Sequence, residues 1–150
     1  MIYKKAIQQI SDILSKNEKD CIQHVVDFLQ SSFESYSWVG IYLVKNSILQ
    51  LGPWAGPQAT EHTKIPIGYG VCGAAAESGR IENVADVQSD KRYLSCFLST
   101  RSEIVVPIVY NDEVLGEIDI DSDASHAFSK KDEVFLKIVA DMLSKHICTC

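Results

Sequence analysis

Apolar residues recur at helical spacing near both ends of the chain and at strand spacing between them. Ile7, Ile10, Ile13 and Leu14 repeat at three- and four-residue intervals and predict an amphipathic first helix. Residues 17–20 are a polar break. Cys21, Ile22, Val25, Val26, Phe28, Leu29 and Phe33 then predict a second, more apolar helix, with Cys21 and His24 read as packing residues on or beside its stripe. The β-branched and aromatic run at residues 38–44 predicts a strand, which turns at Lys45-Asn46-Ser47 and returns over residues 48–51 as a hairpin. Trp38, Gly40 and Tyr42 share one face of the first strand, and Gly40 leaves a notch for a ligand or another backbone. Residues 52–63, with Pro53, Gly56 and Pro57, read as loop.

Gly68-Tyr69-Gly70-Val71-Cys72-Gly73 matches the dinucleotide fingerprint G-x-G-x-x-G, but its setting rejects that reading. The motif needs a parallel strand before it and a full crossover helix after it. Here Pro66 interrupts the preceding run, and the helical residues 74–78 end at Gly79. The glycines instead turn a loop sharply and present Cys72 near the start of a short helix, where it is either a thiol whose pKa the helix end lowers or a small buried residue in a tight loop. Residues 81–87 are a short extended piece, and residues 88–100 are a polar, irregular stretch carrying Cys96 among Tyr93, Leu94, Phe97 and Leu98. A second hairpin pairs residues 104–110 with 114–121, and Pro107 marks an edge or a bulge. Ser129 and Asp132 form a capping box that opens the last helix, whose stripe is Val134, Phe135, Ile138, Val139, Met142, Leu143 and Ile147. Helices at the two ends around a run of hairpins predict an α+β domain. The terminal helices cover one face of an antiparallel sheet, and a ligand pocket occupies the other.

The alternation carries chemistry in residues 117–121. Glu117, Asp119 and Asp121 point one way, and Ile118 and Ile120 the other. A row of carboxylates repels itself unless it meets water or a cation. It is therefore either a solvated sheet face or a pocket for a cationic group such as an amine, with the Cys96 thiol nearby.

A chain of 150 residues with 46% hydrophobic and 23% charged residues fits one domain with a real core. The net charge of -6 and the lack of a basic cluster argue against nucleic acid, and no apolar run is long enough to span a membrane. The start of the chain does not read as a signal peptide, so the expected location is cytoplasmic. Five irregularly spaced cysteines are no disulfide framework. His146, Cys148 and Cys150 have the spacing of metal ligands but sit on a chain end, so no metal is expected there.

Five blocks together resemble the free methionine-(R)-sulfoxide reductases, which are stand-alone GAF domains: Trp38-Val39-Gly40-Ile41-Tyr42, Leu51-Gly52-Pro53, residues 65–73, Ser102 to Pro107, and Gly116 to Ser122. The resemblance runs from about Trp38 through the last helix. It implies a single GAF domain over residues 1–150 that reduces free methionine-(R)-sulfoxide to methionine without a cofactor. Cys96 falls at the family's nucleophile, whose thiolate attacks the sulfoxide sulfur and becomes a sulfenic acid. Glu103, Asp119 and Asp121 match carboxylates that bind the substrate's α-ammonium, and one of them can protonate the sulfoxide oxygen. Trp38 and Tyr42 match aromatics around the substrate methyl group. The resemblance also implies thioredoxin or a small-molecule thiol as reductant, and a homodimer.

The chain departs from the family pattern in two places. Residues 56–64 form a loop about two residues longer than usual and lack the cysteine that resolves the sulfenic acid, and Glu117 stands where an apolar residue is usual. Resolution then falls to an external thiol, to Cys72, which matches a family cysteine, or to the Cys148 and Cys150 tail, favoured in that order. The alternative reading is a non-catalytic GAF module that binds a small amine or a nucleotide. Such a sensor is expected to carry an output domain, and none is legible in this sequence.

Overall fold

The computed structural model describes residues 2–148, the side chain of Cys148 excepted. Among them the order is α1 (Ile2–Ser15), α2 (Cys21–Ser32), β1 (Trp38–Lys45), β2 (Ile48–Ala55), β3 (Lys64–Pro66), α3 (Gly70–Ser78), β4 (Glu82–Val84), β5 (Ser102–Tyr110), β6 (Glu113–Ser122) and α4 (Lys130–Cys148). The strands form one sheet in the order β3-β2-β1-β6-β5-β4, and every pairing is antiparallel. No described helix is long and apolar enough to cross a membrane.

Alternation along the strands divides the sheet into two chemically different faces. Val39, Ile41, Ile104, Val106, Ile118 and Ile120 pack against Ile10, Val25, Leu29, Phe135, Val139 and Leu143 of α1, α2 and α4. This is the helical layer expected at the chain ends. Burying each of these side chains contributes roughly 1.5–3 kcal/mol. The opposite face carries Tyr42, Leu49, Ile65 and Val105 and packs against Val71, Ala75 and Ala76 of α3. Because α3 is short, the loops must cover the rest of that face, and the candidate site lies beneath them.

Several expectations are corrected by the fold. Residues 52–63 are not all loop, since β2 continues to Ala55 and pairs Trp54 with Gly40 and Ala55 with Val39. Gly52 and Pro53 are tolerated because the β1–β2 register shifts between Gly40 and Tyr42, and β3 covers β2 only as far as Gln50. The short helix begins at Gly70 rather than Ala74 and ends at Gly79, which is left-handed with φ 71°. Of residues 81–87, only Glu82–Val84 form a strand. On the last helix, Val134 and Ile138 are exposed, and Leu136 and Ala140 take the core positions instead. His24 is a surface residue near Glu18, whereas Cys21 is buried with its Sγ 2.9 Å from His146 Nε2. The side chain of Cys148 and all of Cys150 lie outside the described residues.

Other expectations hold with a physical cause. The dinucleotide reading fails as expected, because the sheet has no parallel strand. A Cβ on Gly73 would come within 2.7 Å of Pro66 O and 2.9 Å of Gly68 N, so only glycine lets this loop close on itself. Pro107 sits in β5 beyond the reach of β4, one residue before the bulged position Ile108. The capping box forms in both directions: Ser129 N donates to Asp132 Oδ2 at 2.8 Å, and Asp132 N donates to Ser129 Oγ at 3.4 Å.

Asp132 also ties α4 to the N-terminal layer, since its Oδ1 accepts from Tyr36 Oη at 2.7 Å and from Tyr3 Oη at 3.2 Å. Tyr36 is buried and stacks on Phe33 with ring centroids 4.6 Å apart. Asp132→Ala is expected to cost about 3 kcal/mol in denaturant unfolding, because it removes a cap and strands the buried Tyr36 hydroxyl. Ser129→Ala, which loses only the cap, should cost about 1 kcal/mol.

Candidate active site

The register aligns three central strands so that their polar residues meet on the loop-covered face. Across β1, β6 and β5, Trp38 lies opposite Asp121 and Asp121 opposite Glu103. The next row on that face is Gly40, Asp119 and Val105, and the next is Tyr42, Glu117 and Pro107. The expected row of carboxylates therefore exists, and β5 adds Glu103 to it. It is not a solvated face: Glu117 is 0% exposed, Asp119 and Asp121 are 2% and Glu103 is 4%. Both oxygens of Glu117, Asp119 Oδ1 and Asp121 Oδ1 have no hydrogen-bond partner in the described structure. The other Asp121 oxygen accepts from Thr100 Oγ1 at 3.5 Å.

Cys72 projects from α3 toward this row, with its Sγ 3.9 Å from Glu103 Oε2. Cys96 comes from the irregular segment between β4 and β5, which is pinned at several points. Leu94 packs where a Cβ on Gly70 would sit, and Phe97 meets Trp38 with ring centroids 5.9 Å apart. His62 Nε2 and Ser95 O are 3.2 Å apart, and Cys96 Sγ contacts Leu94 O at 3.5 Å. Tyr42, Ile65, Val71, Cys72, Leu94, Cys96, Glu103 and Asp119 line a cavity of about 10 Å³, room for a single water. Trp38 and Asp121 line a neighbouring cavity instead, together with Phe97 and Thr100. The seven residues named from the resemblance thus line two cavities, with Tyr42, Cys72, Cys96, Glu103 and Asp119 in one and Trp38 and Asp121 in the other.

Burial of like charges sets the protonation of this region. Glu103, Glu117 and Asp121 are held well above the ordinary carboxylate range, first by desolvation and then by the charge of Asp119. Asp119 is also raised by burial, and hydrogen bonds from Glu103 and Cys72 offset part of that rise. Burial raises the Tyr42 hydroxyl, which donates to His62 O at 2.6 Å. Of the two readings of Cys72, a thiol lowered near a helix start and a small buried residue in a tight loop, the structure bears out the second. Its pKa is raised well above normal, because it is buried and faces Asp119, Glu117, Glu103 and Asp121. Cys96 is pushed up to about 12, chiefly by burial, with Asp119 and Asp121 adding to the rise and a hydrogen bond from Thr60 opposing it.

The sequence reading missed three features. Thr60 and His62, in the loop that lacks the family cysteine, reach the Cys96 segment, and no local pattern announces this. The notch at Gly40 is filled from within: a Cβ there would collide with the indole of Trp38, which also lies over Gly56. That indole stacks on Trp54 with ring planes 14° apart.

These shifts fix a sign for stability. A carboxylate whose folded pKa is raised keeps its proton in the folded state at a pH where the unfolded chain has released it. Stability then falls as pH rises from the unfolded value, about 4, toward the folded one. The facing groups are Glu103 on β5, Glu117, Asp119 and Asp121 on β6, Cys72 on α3, Cys96 and Tyr93 on the covering segment, and Tyr42 on β1. The melting temperature should therefore be higher at pH 5 than at pH 8. Glu117→Leu should raise it at pH 8 and flatten the dependence, by scanning calorimetry across that range. A profile identical to wild type would contradict a protonated, buried Glu117.

Comparison with known proteins agrees with this geometry. The GAF domain family matches residues 17–147. The free methionine-R-sulfoxide reductase of Escherichia coli is 34% identical over 113 residues, covering 75% of this chain and 67% of that protein. The Saccharomyces cerevisiae protein of the same name is 39% identical over 113 residues, covering 73% and 62%. The solved structure of the free methionine-R-sulfoxide reductase from Neisseria meningitidis in complex with its substrate superposes with a TM-score of 0.88 at 34% identity, covering 96% of this chain and 87% of that one. With its six-stranded antiparallel sheet and helical layer, this chain is a GAF domain and belongs to the free methionine-R-sulfoxide reductase family of thiol-dependent oxidoreductases.

Proposed function

We propose that this protein reduces free methionine-R-sulfoxide through Cys96. The observation that carries the reading is the buried carboxylate group without a cationic partner, overhung by a half-buried thiol. An α-ammonium placed against Asp119, Asp121 and Glu103 relieves the repulsion among them. Burial is the main cause of the raised Cys96 pKa, and Asp119 and Asp121 add to it; one positive charge beside them offsets part of that addition and shifts Cys96 toward the thiolate. At least one neighbouring carboxyl stays protonated and supplies the proton to the sulfoxide oxygen.

In the reaction, the Cys96 sulfur attacks the sulfoxide sulfur, and the oxygen is transferred to Cys96. The sulfoxide sulfur gains two electrons and leaves as methionine, while Cys96 loses two and becomes a sulfenic acid. Two further thiol groups return it to the thiol, releasing water and forming one disulfide. The closed cavity holds a water and not an amino acid, so the Cys96 segment must move to admit substrate. The same movement gives access to an external thiol, the route that the missing loop cysteine favours. Cys72 is the second route, because it lines the same cavity as Cys96. The tail is the third: His146 contacts Cys21 of α2, in the helical layer that packs on the opposite face of the sheet.

Cys96→Ser should abolish turnover of the R epimer, assayed with dithiothreitol and methionine quantitation, while circular dichroism stays unchanged. Near wild-type turnover would overturn the assignment. The second reading, a GAF module that only binds a small amine, is favoured by the raised Cys96 pKa. Under it, Cys96→Ser changes nothing because wild type has no turnover. A nucleotide ligand is disfavoured by the acidic face, which repels phosphate.

The carboxylates carry a separate prediction. Asp119→Asn and Asp121→Asn should each weaken substrate capture by about 2–5 kcal/mol, the range for removing one partner of a buried charge-assisted contact. N-acetylmethionine sulfoxide should fare similarly on wild type. Equal kcat/KM for the free and acetylated substrates would mean that the carboxylates do not read the ammonium.

A further inference from the structure

We propose that the closed site is also a binding site for a soft divalent cation, Zn²⁺, held by Cys72 Sγ and the carboxylates of Glu103 and Asp119. One ligand atom from each of these residues lies within 4.8 Å of the other two, and all three side chains are buried. Around a tetrahedral zinc, bond lengths of about 2.3 Å to sulfur and 2.0–2.2 Å to oxygen put ligand atoms roughly 3.4–3.6 Å apart. The 3.9 Å between Cys72 Sγ and Glu103 Oε2 needs to shrink by only a few tenths of an ångström. Two independent features point to an ion rather than to a bare acidic cluster. Asp119 Oδ1 is buried without a hydrogen-bond partner, as are both oxygens of Glu117 on the same strand face. The cavity these side chains line is the size of one water, which suits a single ion and excludes the amino acid.

The donor set selects the metal. A thiolate favours zinc over magnesium or calcium, and calcium needs six to eight oxygens that this pocket lacks. Three anionic ligands around a 2+ ion leave one negative charge. The cysteine proton and any carboxyl protons are released to solvent as the metal bonds form. Unlike the substrate, the ion fits the cavity with the Cys96 segment in its closed position. It occupies Glu103 and Asp119 while the site is closed, so zinc and the ammonium are mutually exclusive. The site would make the protein zinc-inhibited and would mask Cys72. Only this competition rests on the reductase reading; the binding itself does not.

The test is a titration of reduced, metal-stripped protein with Zn²⁺ against a chromophoric zinc chelator, repeated with Cd²⁺ to detect the thiolate-to-metal absorption band. One equivalent should bind with a thiolate signature. Cys72→Ser and Asp119→Asn should each weaken it more than about tenfold, with folding checked by circular dichroism. A variant carrying His146→Ala, Cys148→Ser and Cys150→Ser should bind as wild type, and so should Cys96→Ser. Zinc that follows the chain-end residues instead, or no stoichiometric binding, overturns the proposal. Excess free methionine sulfoxide should displace the ion. If it does not, while Cys72→Ser still abolishes binding, the metal site stands and the reductase reading of the carboxylates fails.

Discussion

Four carboxyl groups buried on one sheet face, with no cation among them, are the constraint on which the rest of this structure depends. Glu103 and Asp121 lie directly opposite each other on neighbouring strands, where like charges are unfavourable even in water. At 4% exposure or less, the cost is greater, and the described ion pairs are all elsewhere, on Arg92, Lys130, Lys137 and His24. The face is tolerable because protons remain on it and because the opposite face is densely packed. The helical layer stabilises the sheet and the site face spends part of that stability. The anchoring of α4 through Asp132, which joins the cap to Tyr36, therefore supports a site on the far side of the sheet.

The site was legible in sequence to the extent that it follows from period-two alternation. Glu117, Asp119 and Asp121 share a face whatever the register, and the isoleucines between them must face the core. For Glu103 the two-layer layout allowed convergence on that face without fixing it, since its place opposite Asp121 is a matter of register between strands. The extent of β2 was hidden because Gly52 and Pro53 read as loop, and only pairing with β1 across a bulge shows them in a strand. Gly40 was misread because the occupant of its notch is its own near neighbour, Trp38, whose ring folds back along the strand. Thr60 and His62 left no local trace, because their significance lies in which segment the loop touches. For Cys72, position on a helix and burial in a tight loop pointed to opposite shifts, and burial decides the direction.

The missing loop cysteine and the added Glu117 fall on the same face and change the same quantity. Removing a resolving thiol leaves two thiols at the cavity, both held protonated by their surroundings. For Cys72 burial comes first and the charge of Asp119 second, and Glu117 beside it keeps its own proton for the same reason. Relative to the apolar residue usual at that position, Glu117 adds a fourth buried acid, which holds its proton while the site is empty. An enzyme whose thiols are quiet until a cation arrives is protected from oxidants that carry none.

Charge counting then separates the roles of the carboxyls. One ammonium brings a single positive charge to a cluster of four acids, so it cannot stabilise all of them as anions. Asp119 is the acid that no neighbouring charge raises, so in the proposed mechanism it is the anion of the group and the ammonium's first partner. Glu103, raised first by burial, then by the charges of Asp119 and Asp121 and by sharing a hydrogen bond with Asp119, is the acid in that proposal. A site that needs one anion to hold an amine and one acid to protonate an oxygen thus obtains both from identical functional groups. Burial and position on adjacent strands distinguish them.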